Sequence, residues 1–157
     1  MEQKTNVMRL LEGAHLPYHF HYYDAPDGAL SGIEVAQQLS QDPDHVFKTL
    51  VTTGASGKHY VFMIPVAEEL SLKKAAAAAK EKSIVMLKSK DLLPLTGYVH
   101  GGCSPIGMKK AFPTFIDETA QLFDTILFSG GKIGTQVEMS PEVLQKIVPH
   151  LYADLTV

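Results

Sequence analysis

Two β-rich runs in the middle of the chain, 46–53 and 59–66, are joined only by Gly54-Ala-Ser-Gly-Lys58. A short connection with two glycines can turn a chain back on itself, whereas parallel neighbours need a crossover of roughly a dozen residues or more. The centre of the protein is therefore an antiparallel hairpin, which argues against a doubly wound parallel sheet. At 157 residues with 45% apolar side chains, the chain can bury roughly two thirds of its surface, so one domain over 1–157 is expected.

The flanking segments switch between helical and strand periodicity. Val7, Met8, Leu10 and Leu11 recur at helical spacing before Gly13, which predicts a helix over 4–12. Tyr18, Phe20 and Tyr22 alternate with His19 and His21, as in a half-buried strand over 18–22. Ser31 with Glu34 three residues on is a capping box opening a helix over 31–40, and Ser71 opens another through Lys80. Further strands are expected at 84–87, 115–116, 125–129 and 135–139, with a helical turn over 89–93 ended by Pro94. Ser140-Pro141-Glu142 starts a last helix, its proline in the first turn where a missing N–H costs nothing. The reading is an α+β fold: a mixed, mostly antiparallel sheet with helices packed around it.

The net charge of −3 conceals an asymmetry. Lys73, Lys74, Lys80, Lys82, Lys88, Lys90, Lys109 and Lys110 fall in a window whose only acids are Glu81 and Asp91, a sector of +6 on a remainder of −9. Such a sector is either a solvated lysine-rich surface or a phosphate-binding face. No uncharged apolar run approaches the roughly 20 residues of a membrane-spanning helix, so no membrane partner is expected. The N-terminal segment carries Glu2 and Glu12 on an amphipathic pattern rather than a basic patch followed by an apolar block. A single cysteine, Cys103, can form neither an internal disulfide nor a multi-thiolate zinc site, and a cytoplasmic location is expected.

Two glycine loops carry the chemistry-bearing candidates: Gly97-Tyr-Val-His-Gly-Gly-Cys-Ser-Pro-Ile-Gly107 and Ser129-Gly-Gly-Lys-Ile-Gly134. Adjacent glycines either make tight turns or let backbone N–H groups approach an oxyanion or phosphate, and neither loop has nucleotide-motif spacing. Lys48 lies inside an otherwise apolar strand, so it either points outward at a sheet edge or projects into a polar cleft. Cys103 close to His100 is either a small packed residue or a nucleophile needing an imidazole. His15, His19 and His21 cluster in sequence, but without a carboxylate set no metal site is assigned.

Phe47-Lys48-Thr49-Leu50, the Gly97–Gly107 loop and Ser129-Gly130-Gly131-Lys132, in that order, resemble the YbaK family, the freestanding relatives of the editing domain inserted in bacterial prolyl-tRNA synthetases. The G-x-x-x-P element from Gly101 to Pro105 is the most specific part, and the branch acting on Cys-tRNA(Pro) looks closest. The resemblance implies a barrel-like mixed sheet and trans-editing, the hydrolytic removal of cysteine from tRNA(Pro), with no cofactor and prolyl-tRNA synthetase as a partner. It implies that Lys48 is the principal functional side chain, binding the acceptor end. Tyr23, Gly101, Gly102, Ser104, Pro105, Ser129, Gly130 and Gly131 are the matching substrate-binding positions. In that branch the substrate's own thiol closes on the ester carbonyl. Ile133 and Gln136 stand where the family usually has a basic and an acidic residue. Hydrolysis of Ala-tRNA(Pro), a broader deacylase, a cysteine hydrolase using Cys103 and a non-catalytic tRNA- or synthetase-binding module are the competing readings.

Overall fold

In the computed structural model, which describes residues 4–157, the central hairpin forms as expected, with Phe47 opposite Pro65 and Thr53 opposite His59. Residues 1–3, part of the N-terminal pattern read from sequence, lie outside the described residues. The elements run α1 (Asn6–Gly13), β1 (His19–Tyr22), α2 (Gly32–Gln38), β2 (Phe47–Gly54), β3 (His59–Pro65), α3 (Leu72–Ala79) and β4 (Ile84–Met86). They continue through α4 (Ser89–Thr96), β5 (Thr114–Asp117), β6 (Ile126–Ser129), β7 (Thr135–Met139), α5 (Pro141–Leu144) and β8 (His150–Ala153).

The helix starts are set by side chains that satisfy orphan N–H groups. Thr5 accepts from Met8 N, Ser71 from Lys74 N, and Ser31 and Glu34 cap each other reciprocally. Each helix then buries a narrow stripe: Val7 and Leu11 on α1, Val35 and Ala36 on α2, Ala75 and Ala76 on α3. Alanines let α3 lie close to the sheet, against Tyr60, Phe62, Ile64 and Phe115. The Phe62 and Phe115 rings stack there at 5.4 Å. Val61 and Met63 point to the opposite face, into a larger core shared with Phe47, Ile116, Phe128 and Val137. Burial on both faces explains why β3 is a nearly continuous apolar run.

Among the described residues, eight strands form two sheets. One is antiparallel, in the order β1-β7-β6; the other has the order β4-β2-β3-β5-β8, antiparallel from β4 to β3 and parallel from β3 to β8. The sheets touch through one parallel bridge, Val46 with Leu127, so the barrel-like arrangement is not closed. Ala36, Val46, Val66 and Leu127 form a small apolar cluster at this seam, with α2 over it.

Two segments differ from the sequence expectation. Pro94 does not end α4, which continues to Thr96. A two-turn helix loses one hydrogen bond at the proline, and its end is closed by Thr96 Oγ1 on Leu92 O (2.7 Å) and by Gly97 in the left-handed region at φ 86°. The helix opened by Ser140-Pro141 lasts only one turn, and the chain returns as β8, a strand the sequence patterning did not reveal. β8 pairs parallel with β5, a contact without local signature. Asp117, 2% exposed at the end of β5, ties this return down: its carboxylate accepts from Thr119 N (3.2 Å), Thr119 Oγ1 (2.6 Å) and Leu155 N (3.0 Å). Asp117→Ala leaves the buried Leu155 N–H and the partly buried Thr119 donors unpaired and is expected to lower stability by about 3 kcal/mol in urea unfolding, whereas an unchanged midpoint would remove this role.

Candidate functional site

β2 is an internal strand covered along only part of one edge. On its outer side β4 pairs only with Thr52–Gly54, and β6 forms a backbone bridge only to Val46, so the edge over 47–50 opens onto a cleft of about 190 Å³. Val46 O accepts from Val66 N and Gly54 N donates to Lys58 O, both at 2.8 Å, so even-numbered residues of this strand bond towards β3. Thr49 therefore turns its main-chain N–H and C=O to the cleft side. Tyr23, Ser31, Leu92, His100, Cys103, Ser129 and Gln136 are among the residues that complete the walls.

Lys48 occupies this open edge and lines the cleft, so the two sequence alternatives coincide. It is half-buried, and its ammonium makes no hydrogen bond or ion pair with a described residue. Burial pushes its pKa down from the ordinary lysine value, and the charges of Glu69 and Glu68 offset only part of that. A partly desolvated cation that no carboxylate contacts directly is suited to an anionic ligand.

Of the other candidates, Tyr23, Gly101 and Ser129 also line the cleft. Tyr23 is anchored through its N–H to Gly134 O (2.9 Å). Ser129 Oγ accepts from Gly131 N (3.1 Å), which leaves its hydroxyl hydrogen to donate. Gly101 has φ 88°, and a Cβ there would lie 2.5 Å from Ala29 Cβ, so this glycine is required by the loop over 24–30 as well as by any ligand. Gly102, Ser104, Pro105, Gly130 and Gly131 are not in the cleft wall. A Cβ on Gly102 would meet Ile133 N at 3.2 Å, where the two glycine loops pack together, and one on Gly130 would meet Phe20 at 2.6 Å. Ser104 is fully buried and accepts from Ile106 N (3.3 Å). These five residues shape the frame.

The chain matches the aminoacyl-tRNA editing domain over residues 27–147. It is 43% identical over 155 residues, 99% of this chain and 94% of the other, to an Enterococcus faecalis protein, EbsC, named as a proposed Cys-tRNA(Pro)/Cys-tRNA(Cys) deacylase. The chain belongs to the aminoacyl-tRNA editing domain family. Solved structures share the fold. One described as a proposed trans-editing enzyme for prolyl-tRNA synthetase superposes with TM-score 0.80 at 23% identity, covering 99% of both chains. A hypothetical protein, APE2540, superposes at 0.86 with 20% identity, covering 96% of this chain and 99% of the other.

Within this editing domain Cys103 is 8% exposed, and burial pushes its thiol up to about 12. No histidine hydrogen-bonds it among the described residues, and a thiol so held is a poor nucleophile near neutral pH. The clustered histidines do not converge either: His21 Nε2 meets Glu138 Oε1 at 2.8 Å, and among the described residues no group of three His, Cys, Asp or Glu is placed to hold a metal ion. No helix of the described residues is long and apolar enough to cross a membrane. Thr49 and Leu92 are cleft residues that the sequence reading did not select. Thr49 could have been suspected from its place beside Lys48, but Leu92 enters because tertiary packing lays α4 along the cleft, which no local pattern marks. Cys103 is expected to react with a thiol reagent at pH 8 at least about tenfold more slowly in the native protein than in urea, followed by absorbance; equal rates would contradict its burial.

Proposed function

We propose that this protein is a trans-editing deacylase that removes cysteine from mischarged tRNA(Pro), with Cys-tRNA(Cys) as a further substrate. The observation that carries the reading is a cleft containing a half-buried, unpaired lysine and an open strand edge, but no protein nucleophile with a paired base. EbsC, alike over nearly the whole of both chains, supports the choice of amino acid. An aminoacyl ester is already activated, so alignment and stabilisation of the developing oxyanion are sufficient.

The substrate's thiol supplies the nucleophile. Its sulfur forms a bond to the ester carbonyl carbon, the oxyanion collapses, the bond to the ribose oxygen breaks, and that oxygen takes the proton the thiol has lost. The resulting thiolactone adds water to give free cysteine. Lys48 neutralises the terminal phosphate of the acceptor end, Ser129 and Tyr23 hydrogen-bond the substrate, and Gly101 keeps the loop backbone close to the ester. Gly102, Ser104, Pro105, Gly130 and Gly131 hold the two loops in register and act on substrate indirectly. The protein works in the cytoplasm as one domain. Its acidic surface keeps affinity for free tRNA modest, and prolyl-tRNA synthetase supplies tRNA choice.

The basic sector divides between two places. Lys73 and Lys74 lie on α3, where Lys74 is held by Asp154 and by Thr156 O (2.7 Å). Lys109 lies over Gly97 and reaches Pro94 O (3.4 Å), in the loop whose His100 and Gly101 line the cleft. The acceptor stem follows the second group, so charge reversal at Lys109 and Lys110 is expected to raise KM and flatten its salt dependence more than reversal at Lys73 and Lys74. The opposite ranking would place the tRNA on α3.

A deacylation panel with Cys-, Ala-, Pro- and Ser-tRNA tests the activity: rapid release from Cys-tRNA alone is expected, and release from Ser-tRNA at the same rate would overturn thiol assistance. Lys48→Ala is expected to cost about 2 kcal/mol or more, roughly 30-fold in kcat/KM, with the fold retained by circular dichroism. Because burial lowers the pKa of Lys48, the cation is lost on raising pH below the ordinary lysine range. After subtraction of spontaneous hydrolysis, activity should fall there, and the fall should be absent in an active Lys48→Arg variant.

A further inference from the structure

Two buried side-chain polar atoms lack a hydrogen-bond partner among the described residues, Gln136 Oε1 and Thr49 Oγ1, and both residues line the cleft. Gln136 is 6% exposed and sits on β7, paired across to His21 on one side and Ser129 on the other. Its carboxamide makes no hydrogen bond to the described protein. A buried amide oxygen without a protein partner costs free energy unless something else bonds it, and its place in the cleft wall makes a ligand able to do so.

With the amide placed as it is, the buried atom is Oε1, which a donor would satisfy. No carboxylate lines the cleft. Glu138, two residues along β7, is committed to His21 and to Thr125 Oγ1, and although burial raises its pKa these hydrogen bonds outweigh it and hold the carboxyl below its ordinary value. Ser129 Oγ and Ser31 Oγ already accept from Gly131 N and Glu34 N. Tyr23 and His100 add a hydroxyl and an imidazole to the wall, but the cleft's side-chain acceptors that are both fully buried and unpaired among the described residues are the Gln136 amide oxygen and the Thr49 hydroxyl. An aminoacyl ester carries one strong cluster of donors, its α-ammonium. Lys48 repels that ammonium and attracts phosphate, so the two ends of the ligand are sorted within one cleft.

We infer that Gln136 recognises the free α-ammonium of the aminoacyl group through its amide oxygen, with the Thr49 hydroxyl as a second acceptor. The terminal amide torsion is broad and roughly two-fold, so the oxygen can turn towards the ligand without moving β7. A neutral acceptor also leaves the cleft net positive, as Lys48 needs. The inference rests on the deacylase reading above and identifies which feature of that substrate the site reads.

The test compares Cys-tRNA(Pro) with 3-mercaptopropionyl-tRNA(Pro), which keeps the thiol and the ester, lacks the amino group and adds no bulk. Wild type is expected to prefer the cysteinyl ester at least about tenfold in kcat/KM. Gln136→Leu should reduce that preference to about threefold or less, whereas Gln136→Glu should keep or enlarge it. Gln136→Leu is also expected to melt no lower than wild type, since it removes an unpaired buried polar group, and Gln136→Met serves if leucine does not fold. A folded variant that keeps the full preference, or a leucine variant markedly less stable with its preference intact, overturns the assignment. If wild type cleaves both esters equally, the deacylase reading stands and Gln136 loses this role; if it cleaves neither, the reading on which the inference rests fails as well.

Discussion

The partial coverage of β2 is the constraint on which the rest of the structure depends. A strand in a closed barrel has neighbours along both edges and offers a ligand only side chains. Here β3 covers one edge throughout, while β4 and β6 reach only the two ends of the other. The stretch between them presents main-chain donors and acceptors at a fixed spacing on a rigid element, together with Lys48. An exposed strand edge invites adventitious pairing. The lysine, and the short length of the gap, limit that hazard while leaving a site open.

Everything around the gap is arranged to keep its shape. The glycine loops are pressed against each other at Gly102 and against α1 and β1 at Gly131 and Gly130, so most of their glycines are occupied by protein contacts. Their effect on the cleft is exerted through Gly101, Ser129 and Tyr23, which these packings hold in place. On the far side His21, Glu138, Thr125 and His45 form a chain of hydrogen bonds from β1 and β7 to the turn immediately before β2. That chain also commits Glu138, two residues from Gln136 on β7, so the polar side chain that β7 contributes to the cleft wall is a neutral amide.

Local chemistry was legible wherever it is decided locally. The capping serines of α2 and α3 start their helices because a hydroxyl and an N–H three residues apart satisfy each other whatever the remainder of the chain does. The hairpin follows from five turn-forming residues between two β-rich runs. Lys48 stood out because a charge in an apolar strand has few tolerable surroundings. The signal failed at α4, where one proline is outweighed by Thr96 and Gly97, and at β8, which owes its pairing to a strand more than thirty residues earlier.

The amino-acid sequence by itself determined the α+β class, the helix starts, the central antiparallel hairpin and the family, through motifs whose order survives without coordinates. Only the tertiary structure decided which glycines face the cleft and which hold loops together, since both uses require the same missing Cβ. It also decided that Thr49 Oγ1 and Gln136 Oε1 find no partner among the described residues, because satisfaction of a buried polar atom depends on what other segments bring within hydrogen-bond distance. Finally, it divided one basic sector of sequence between two places, because α3 packs on the outer face of the five-stranded sheet while α4 runs past the cleft.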